Sequence, residues 1–196
     1  MRIRFACFAV LAAGAALALA QPPGARGKAT ITARGKEIVI DYGRPELKGR
    51  KIDDLLDKLP PDRMWRAGLN QVTTLDTGLD LMIGGKKVAA GKYSLYVYAP
   101  KTGDWQLAIN SDPGIELIKI YPQAPPAVAQ ALWPRLDGYS KIADKEVARV
   151  PLQSETVSPA VEMFTITIER GSGGGIPATV RPDHGLDAAA EDFTRL

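Results

Sequence analysis

From residue 29 onward the chain alternates between apolar and polar positions. Thr30, Ile31 and Thr32 lead into a turn at Arg34-Gly35-Lys36, after which Ile38, Ile40 and Tyr42 share one face. Two short period-two runs about a glycine turn predict a β-hairpin. Beyond Arg44-Pro45 the period changes. Ile52, Leu55, Leu56 and Leu59 fall at helical spacing, which predicts a short helix over 52–59 that Pro60-Pro61 ends. Alternation returns at 71–76, 80–83, 92–99 and 105–110, with Gly84-Gly85 and residues 101–104 as tight connections. In the longest of these runs Tyr93, Leu95 and Val97 take one face and Ser94, Tyr96 and Tyr98 the other. Residues 115–121 read as a further strand, 127–133 as a short helix capping one end, and 146–152 and 161–169 as the last strands. Strands at such close intervals, joined by turns, predict a mostly β fold. The expected architecture is an antiparallel β-sandwich or barrel-like single domain with one or two short helices, not a parallel α/β sheet.

The two ends depart from this pattern. Arg2 and Arg4 precede an uncharged apolar run from Phe5 to Leu19 that closes on Ala18-Leu19-Ala20, the three parts of a secretory signal. The run is shorter than the 18 or so residues a membrane-spanning helix needs, and Gln21-Pro22-Pro23-Gly24 breaks the helix beyond it. Cleavage is therefore expected between Ala20 and Gln21, giving an exported protein, periplasmic or secreted, with no stable membrane insertion afterwards. The expected division is a signal peptide at 1–20, a linker at 21–28, a β-rich domain at 29–170, and a Gly-rich linker with a loosely ordered tail at 171–196. That tail holds Pro177 and Pro182 and keeps no sustained period. A chain ending near Arg170 is accordingly expected to unfold as cooperatively as the whole.

Charge and composition remove several chemistries. The sequence holds 25 basic and 22 acidic residues, formally +3; losing Arg2 and Arg4 with the signal leaves 23 against 22, or +1. So balanced a chain gives no reason to expect nucleic acid as a partner. The one cysteine, Cys7, lies inside the signal, so disulfides, thiolate nucleophiles and cysteine metal sites are not expected in the mature protein. The one histidine, His184, lies in the tail, which argues against a Ser-His-Asp triad and leaves a zinc site without a second imidazole. Asp53, Asp54 and Asp57 are spread round a short helix instead of wrapping an ion, and residues 171–175 lack the Lys-Ser/Thr of a phosphate loop. No metal or cofactor is expected. Carboxylate acid/base work with Asp41, Asp76, Asp104 or Glu116 stays open, although spacing selects no pair.

The most suggestive constellation is Tyr42, Arg44, Arg50, Trp65, Arg66 and Asn70, at strand ends or in the long connection after the hairpin. An arginine fork suits a carboxylate or phosphate, and a Trp or Tyr beside it offers a wall for a ring. The competing reading is structural: the arginines pair with Asp41, Asp53, Asp54 or Asp57, and the aromatics are core. The functional expectation is a non-catalytic binding or interaction domain for a small anionic or ring-containing ligand. The alternatives are a carboxylate-based extracytoplasmic hydrolase acting on a carbohydrate or ester, and a structural envelope-associated domain.

Six ordered motifs carry a resemblance: Tyr42-Gly43-Arg44-Pro45, Lys48-Gly49-Arg50-Lys51, Trp65-Arg66-Ala67-Gly68-Leu69-Asn70, Ile83-Gly84-Gly85-Lys86-Lys87, Ala90-Gly91-Lys92-Tyr93-Ser94-Leu95 and Trp105-Gln106-Leu107-Ala108-Ile109-Asn110. Over residues 28–169 the chain resembles the secreted bacterial proteins grouped as domain of unknown function 2911. The resemblance implies an exported, compact β-rich domain and brings no activity or catalytic residues with it. Two features depart from the family pattern. Leu69 stands where an Ala is usual, and the final Trp-containing strand is not reproduced.

Overall fold

A hairpin turned by Arg34 and Gly35, both at positive φ (50° and 73°), begins the sheet. It joins β1 (Arg26–Ala33) to β2 (Lys36–Gly43) in full antiparallel register. The computed structural model describes residues 26–155, 161–168, 176–181 and 187–193. The signal peptide with its expected Ala20/Gln21 cleavage point, the glycine segment at 171–175 and His184 lie outside them. β1 begins at Arg26, inside the segment expected to be linker.

After the hairpin come α1 (Ile52–Leu56), β3 (Met64–Trp65), β4 (Thr73–Thr77), β5 (Leu81–Ile83), β6 (Lys86–Val88), β7 (Gly91–Tyr98) and β8 (Gln106–Asn110). An excursion follows, with β9 (Ile115–Glu116), α2 (Leu117–Ile120), β10 (Leu132–Trp133) and two 3-10 turns (Tyr139–Lys141 and Ala143–Lys145). The chain then returns through β11 (Glu146–Glu155), β12 (Thr165–Ile168), β13 (Ile176–Arg181) and β14 (Asp187–Phe193). The strand order is β1-β2-β4-β7-β8-β11-β14-β13-β12, antiparallel throughout. β11 is the corner strand: residues up to Pro151 pair with β8, and from Leu152 onward it pairs with β14. A strand that passes from one sheet to the next in this way builds a sandwich. β12 comes back beside β1 without a shared ladder. A bridge between Glu46 and Met163, with Phe164 N–H donating to Pro45 O at 3.0 Å, ties the two ends of the sheet together.

Three expectations are corrected. Residues 115–121 are not one strand: after β9 the chain coils into α2, with Tyr121 N–H donating to Leu117 O at 2.7 Å. Residues 127–133 are not a helix, because Leu132 and Trp133 pair with Glu116 and Ile115; the flanking prolines leave too few residues for a helix to compete. The expected loose tail contains β13 and β14, and β14 occupies the edge that β11 would otherwise expose. Its short polar and alanine-rich runs have little period of their own. Backbone pairing with strands already in place supplies what the side-chain pattern lacks.

Both faces of the central strands β7 and β8 are covered. Leu95, Val97, Leu107 and Ile109 join Ile38, Ile40, Tyr42, Leu75 and Val150 in the main core, and burying each such side chain contributes roughly 1.5–3 kcal/mol. On the opposite face Tyr96 and Ala108 pack with Met64, Val72, Tyr139 and Ile142. Tyr139 and Ile142 come from the 111–145 excursion, which therefore roofs the second face.

Candidate functional site

The six residues singled out by sequence separate into two groups. Four act on the scaffold. Tyr42 is 3% exposed, donates its hydroxyl to Ile166 O at 3.3 Å and meets Phe164 edge-on at 5.6 Å. Arg44 donates to Phe164 O and to Thr165 Oγ1, both at 3.2 Å, clamping the start of β12. Arg50 folds back on Leu47 O at 2.7 Å and Glu46 O at 2.6 Å. Asn70 is exposed at φ 63°, a left-handed turn that Asn tolerates better than most residues. The other two, Trp65 and Arg66, line a cavity of about 320 Å³.

This cavity lies where β3 and Tyr96 of β7 face the returning segment at 134–142, with Lys58, Leu59 and Pro60 beyond α1 along one side. Its walls are mixed. Met64, Trp65, Ile142 and the rings of Tyr96 and Tyr139 give apolar surface, while Arg66, Arg135, Lys58 and Asp62 bring charge. The rings are held by packing: Trp65 meets Phe164 edge-on at 5.1 Å, and Tyr96 meets Tyr139 at 4.8 Å.

The backbone around Arg66 is strained. Arg63 and Ala67 adopt φ of 57° and 52°, conformations that cost a non-glycine residue about 1 kcal/mol or more and persist only where the surroundings impose them. Here they do. Arg63 donates to Ala99 O at 2.9 Å and Leu56 O at 2.6 Å, and Thr73 Oγ1 donates to Ala67 O at 2.7 Å. Gly43 packs against the following residues so closely that a Cβ on it would stand 2.1 Å from Leu69 O. The segments Tyr42-Gly43-Arg44-Pro45 and Trp65-Arg66-Ala67-Gly68-Leu69-Asn70 thus touch in space.

Among the described residues Arg66 makes no hydrogen bond or ion pair, and its Nε is buried without a partner. Burial lowers its pKa, offset in part by nearby Tyr96. Tyr96, which lines the same cavity, also has a buried hydroxyl without a partner. Burial first, and the Asp112 carboxylate after it, push its pKa up to about 12, so it stays protonated. The neighbouring Ser94 hydroxyl acts in the opposite sense, but its own proton goes to Asp112 O at 2.6 Å.

The remaining polar groups here are committed. Asp112, 1% exposed, accepts from Arg135 at 3.1 Å, Lys145 at 2.8 Å and Gly114 N–H at 2.9 Å. Tyr139 donates to Glu146 Oε2 at 2.6 Å, and Arg149 grips both oxygens of Glu146 at 2.8 and 2.6 Å. Asn110, fully buried, donates to Ile142 O at 2.7 Å and so pins the roof.

Of the carboxylates considered for acid/base work, Asp41 pairs with Arg26, Asp76 with Lys92 and Glu116 with Lys119, and none lines the cavity. Neither does Asp104. Among the described residues Asp62 is the one acid on its wall. The described residues hold no cluster of His, Cys, Asp and Glu suited to a metal ion, and none of their helices is long and apolar enough to cross a membrane.

Sequence reasoning passed over Tyr96, Tyr139 and Arg135. Tyr96 carried a usable signal, since it shares one face of the β7 run with Ser94 and Tyr98. Tyr139 and Arg135 carried none, because only the return of the excursion over the sheet brings them to the cavity. No curated protein and no solved structure matches the chain. A family model described as "Protein of unknown function (DUF2911)" matches residues 24–179, from the start of β1 into β13, and the chain belongs to this DUF2911 family.

Proposed function

We propose that this protein is an exported, non-catalytic binding domain that holds a small anionic ligand with a ring or apolar body in the cavity beside Arg66. One observation carries the reading: Arg66 and Tyr96 line one cavity, and each keeps a buried polar atom, Nε and the hydroxyl, without a partner. A buried donor left unpaired costs about 1–3 kcal/mol, more for a charged group, and a ligand oxyanion would recover that cost. The strained turns on either side of Arg66 favour the same view, because such strain concentrates at functional sites. At about 320 Å³ the cavity suits a small molecule and not a polymer. A hydrolase acting through two carboxylates has less support, since Asp62 is the one acid on the wall among the described residues. Export rests on Arg2, Arg4, the apolar run to Leu19 and the small residues before Gln21.

A thermal-shift screen against sugars, nucleotides and organic acids tests the binding claim. Organic anions are expected to raise the midpoint in proportion to ligand excess, and Arg66→Met is expected to abolish the rise. A shift that persists in Arg66→Met, or none from any anion, would count against it. Intact-mass analysis of protein from the envelope or secreted fraction tests export: the mature chain should begin near Gln21, and retention of Met1 would exclude it.

A further inference from the structure

The charges around the cavity can be assigned one by one. Lys58 and Asp62, of opposite charge, are both exposed where they line the cavity. Arg135 is held by Asp112, whose carboxylate also carries Lys145. Arg66 makes no ion pair with any described residue, and its Nε is buried without a partner. Tyr96, on the same wall, adds a neutral hydroxyl that is buried without a partner. Asp62 on the same wall disfavours a second negative charge on a ligand, and a neutral molecule would leave Arg66 uncompensated.

Building on the anion-binding reading, we propose that the ligand is a monocarboxylate with a flat apolar body, its carboxylate held by Arg66 with a further hydrogen bond from the Tyr96 hydroxyl. The side-on edge of a guanidinium, Nε with its neighbouring Nη, presents two parallel donors that match the two oxygens of a carboxylate. The hydroxyl of Tyr96 supplies a third donor. The rest of the cavity suits an apolar body: Met64, Trp65, Tyr139 and Ile142 line it. The indole of Trp65 and the phenol of Tyr139 are already fixed by their edge-on neighbours, so little side-chain order is lost on binding.

The test is calorimetric titration of the full chain with naphthoate, naphthamide, naphthyl phosphate and naphthalenesulfonate. Naphthoate is expected to bind saturably and at least about tenfold more tightly than each of the others, since an unmatched charged hydrogen bond is worth roughly that or more. Arg66→Met is expected to weaken naphthoate by about tenfold or more, and Tyr96→Phe by severalfold. Tighter binding of the phosphate or the sulfonate, lost in Arg66→Met, would overturn the carboxylate assignment while leaving an anion cavity in place. No binding of any of the three anions, or binding indifferent to Arg66→Met, would overturn both. The ranking of the four probes on the unaltered protein is decisive even if Arg66→Met fails to fold.

Discussion

Arg135 reaches Asp112 at 3.1 Å from the wall of the cavity, and the carboxylate it meets is all but buried, with Lys145 at 2.8 Å on the same oxygen. The roof of the candidate site is thus held to the sheet electrostatically, as well as by Tyr139 and Ile142 packing in the second core. Burial pushes the Asp112 carboxyl upward, but the hydrogen bonds from Lys145 and Arg135 and the Gly114 N–H outweigh it and hold the group below its ordinary range. Glu146 behaves alike, with burial opposed by Arg149 and Tyr139.

Both groups therefore contribute stability that is fully present above their unfolded values of about 4 and is lost as pH falls through their lower folded values. Urea unfolding measured between neutral pH and about pH 2 is expected to show a plateau and then a decline below about pH 4. Asp112→Asn should lower stability by about 2 kcal/mol or more at neutral pH, because Arg135 and Lys145 lose their shared counter-charge. It should also flatten the acid decline. Equal stability of mutant and parent at neutral pH would mean the roof is held by packing alone.

Arg44 and Arg66 should part company experimentally. Arg44→Met removes two hydrogen bonds to the start of β12 and should cost about 1–2 kcal/mol in chemical unfolding while leaving any ligand-induced thermal shift intact. Loss of that shift would extend the site to Arg44.

At Gly43 the expectation is steric. A methyl group there meets the backbone of Leu69 at 2.1 Å, which no rotamer change relieves, so Gly43→Ala should cost several kcal/mol by the same measurement. A cost under about 1 kcal/mol would show that the 67–70 turn yields easily, and with it the placement of Arg66.

Truncation after Arg170 is expected to destabilise the protein and promote aggregation, because β14 pairs along the second half of β11 and its loss bares that edge. Coincident unfolding curves for the truncated and full chains would contradict this placement of the tail.

How much of this could be read from sequence varies along the chain. Where apolar residues alternate against one core, as at Ile38, Ile40 and Tyr42 or Leu95 and Val97, the strand and its buried face were both legible. Legibility ended where tertiary pairing overrode local pattern: β9 and β10 exist because each supplies the other's hydrogen bonds. It ended again at β13 and β14, whose side chains carry little period. Trp65 and Arg66 stood out by residue type. Tyr42, Arg44, Arg50 and Asn70 stood out equally, and no feature of the sequence distinguishes a clamp on β12 from a cavity wall. Asp112, Arg135 and Tyr139 read as loop residues because their partners are far away in the chain.

The central claim is that Arg66 is kept for a ligand and not for the fold. Arg66→Met retains much of the stem's packing and removes a half-buried guanidinium that no described residue pairs. Guanidinium chloride unfolding of the two proteins without ligand should give a mutant within about 1 kcal/mol of the parent, or more stable than it, as expected where an active group is held at a cost to stability. A loss of about 3 kcal/mol or more would instead mean that the charge supports the scaffold, and would leave the proposed site without its central residue.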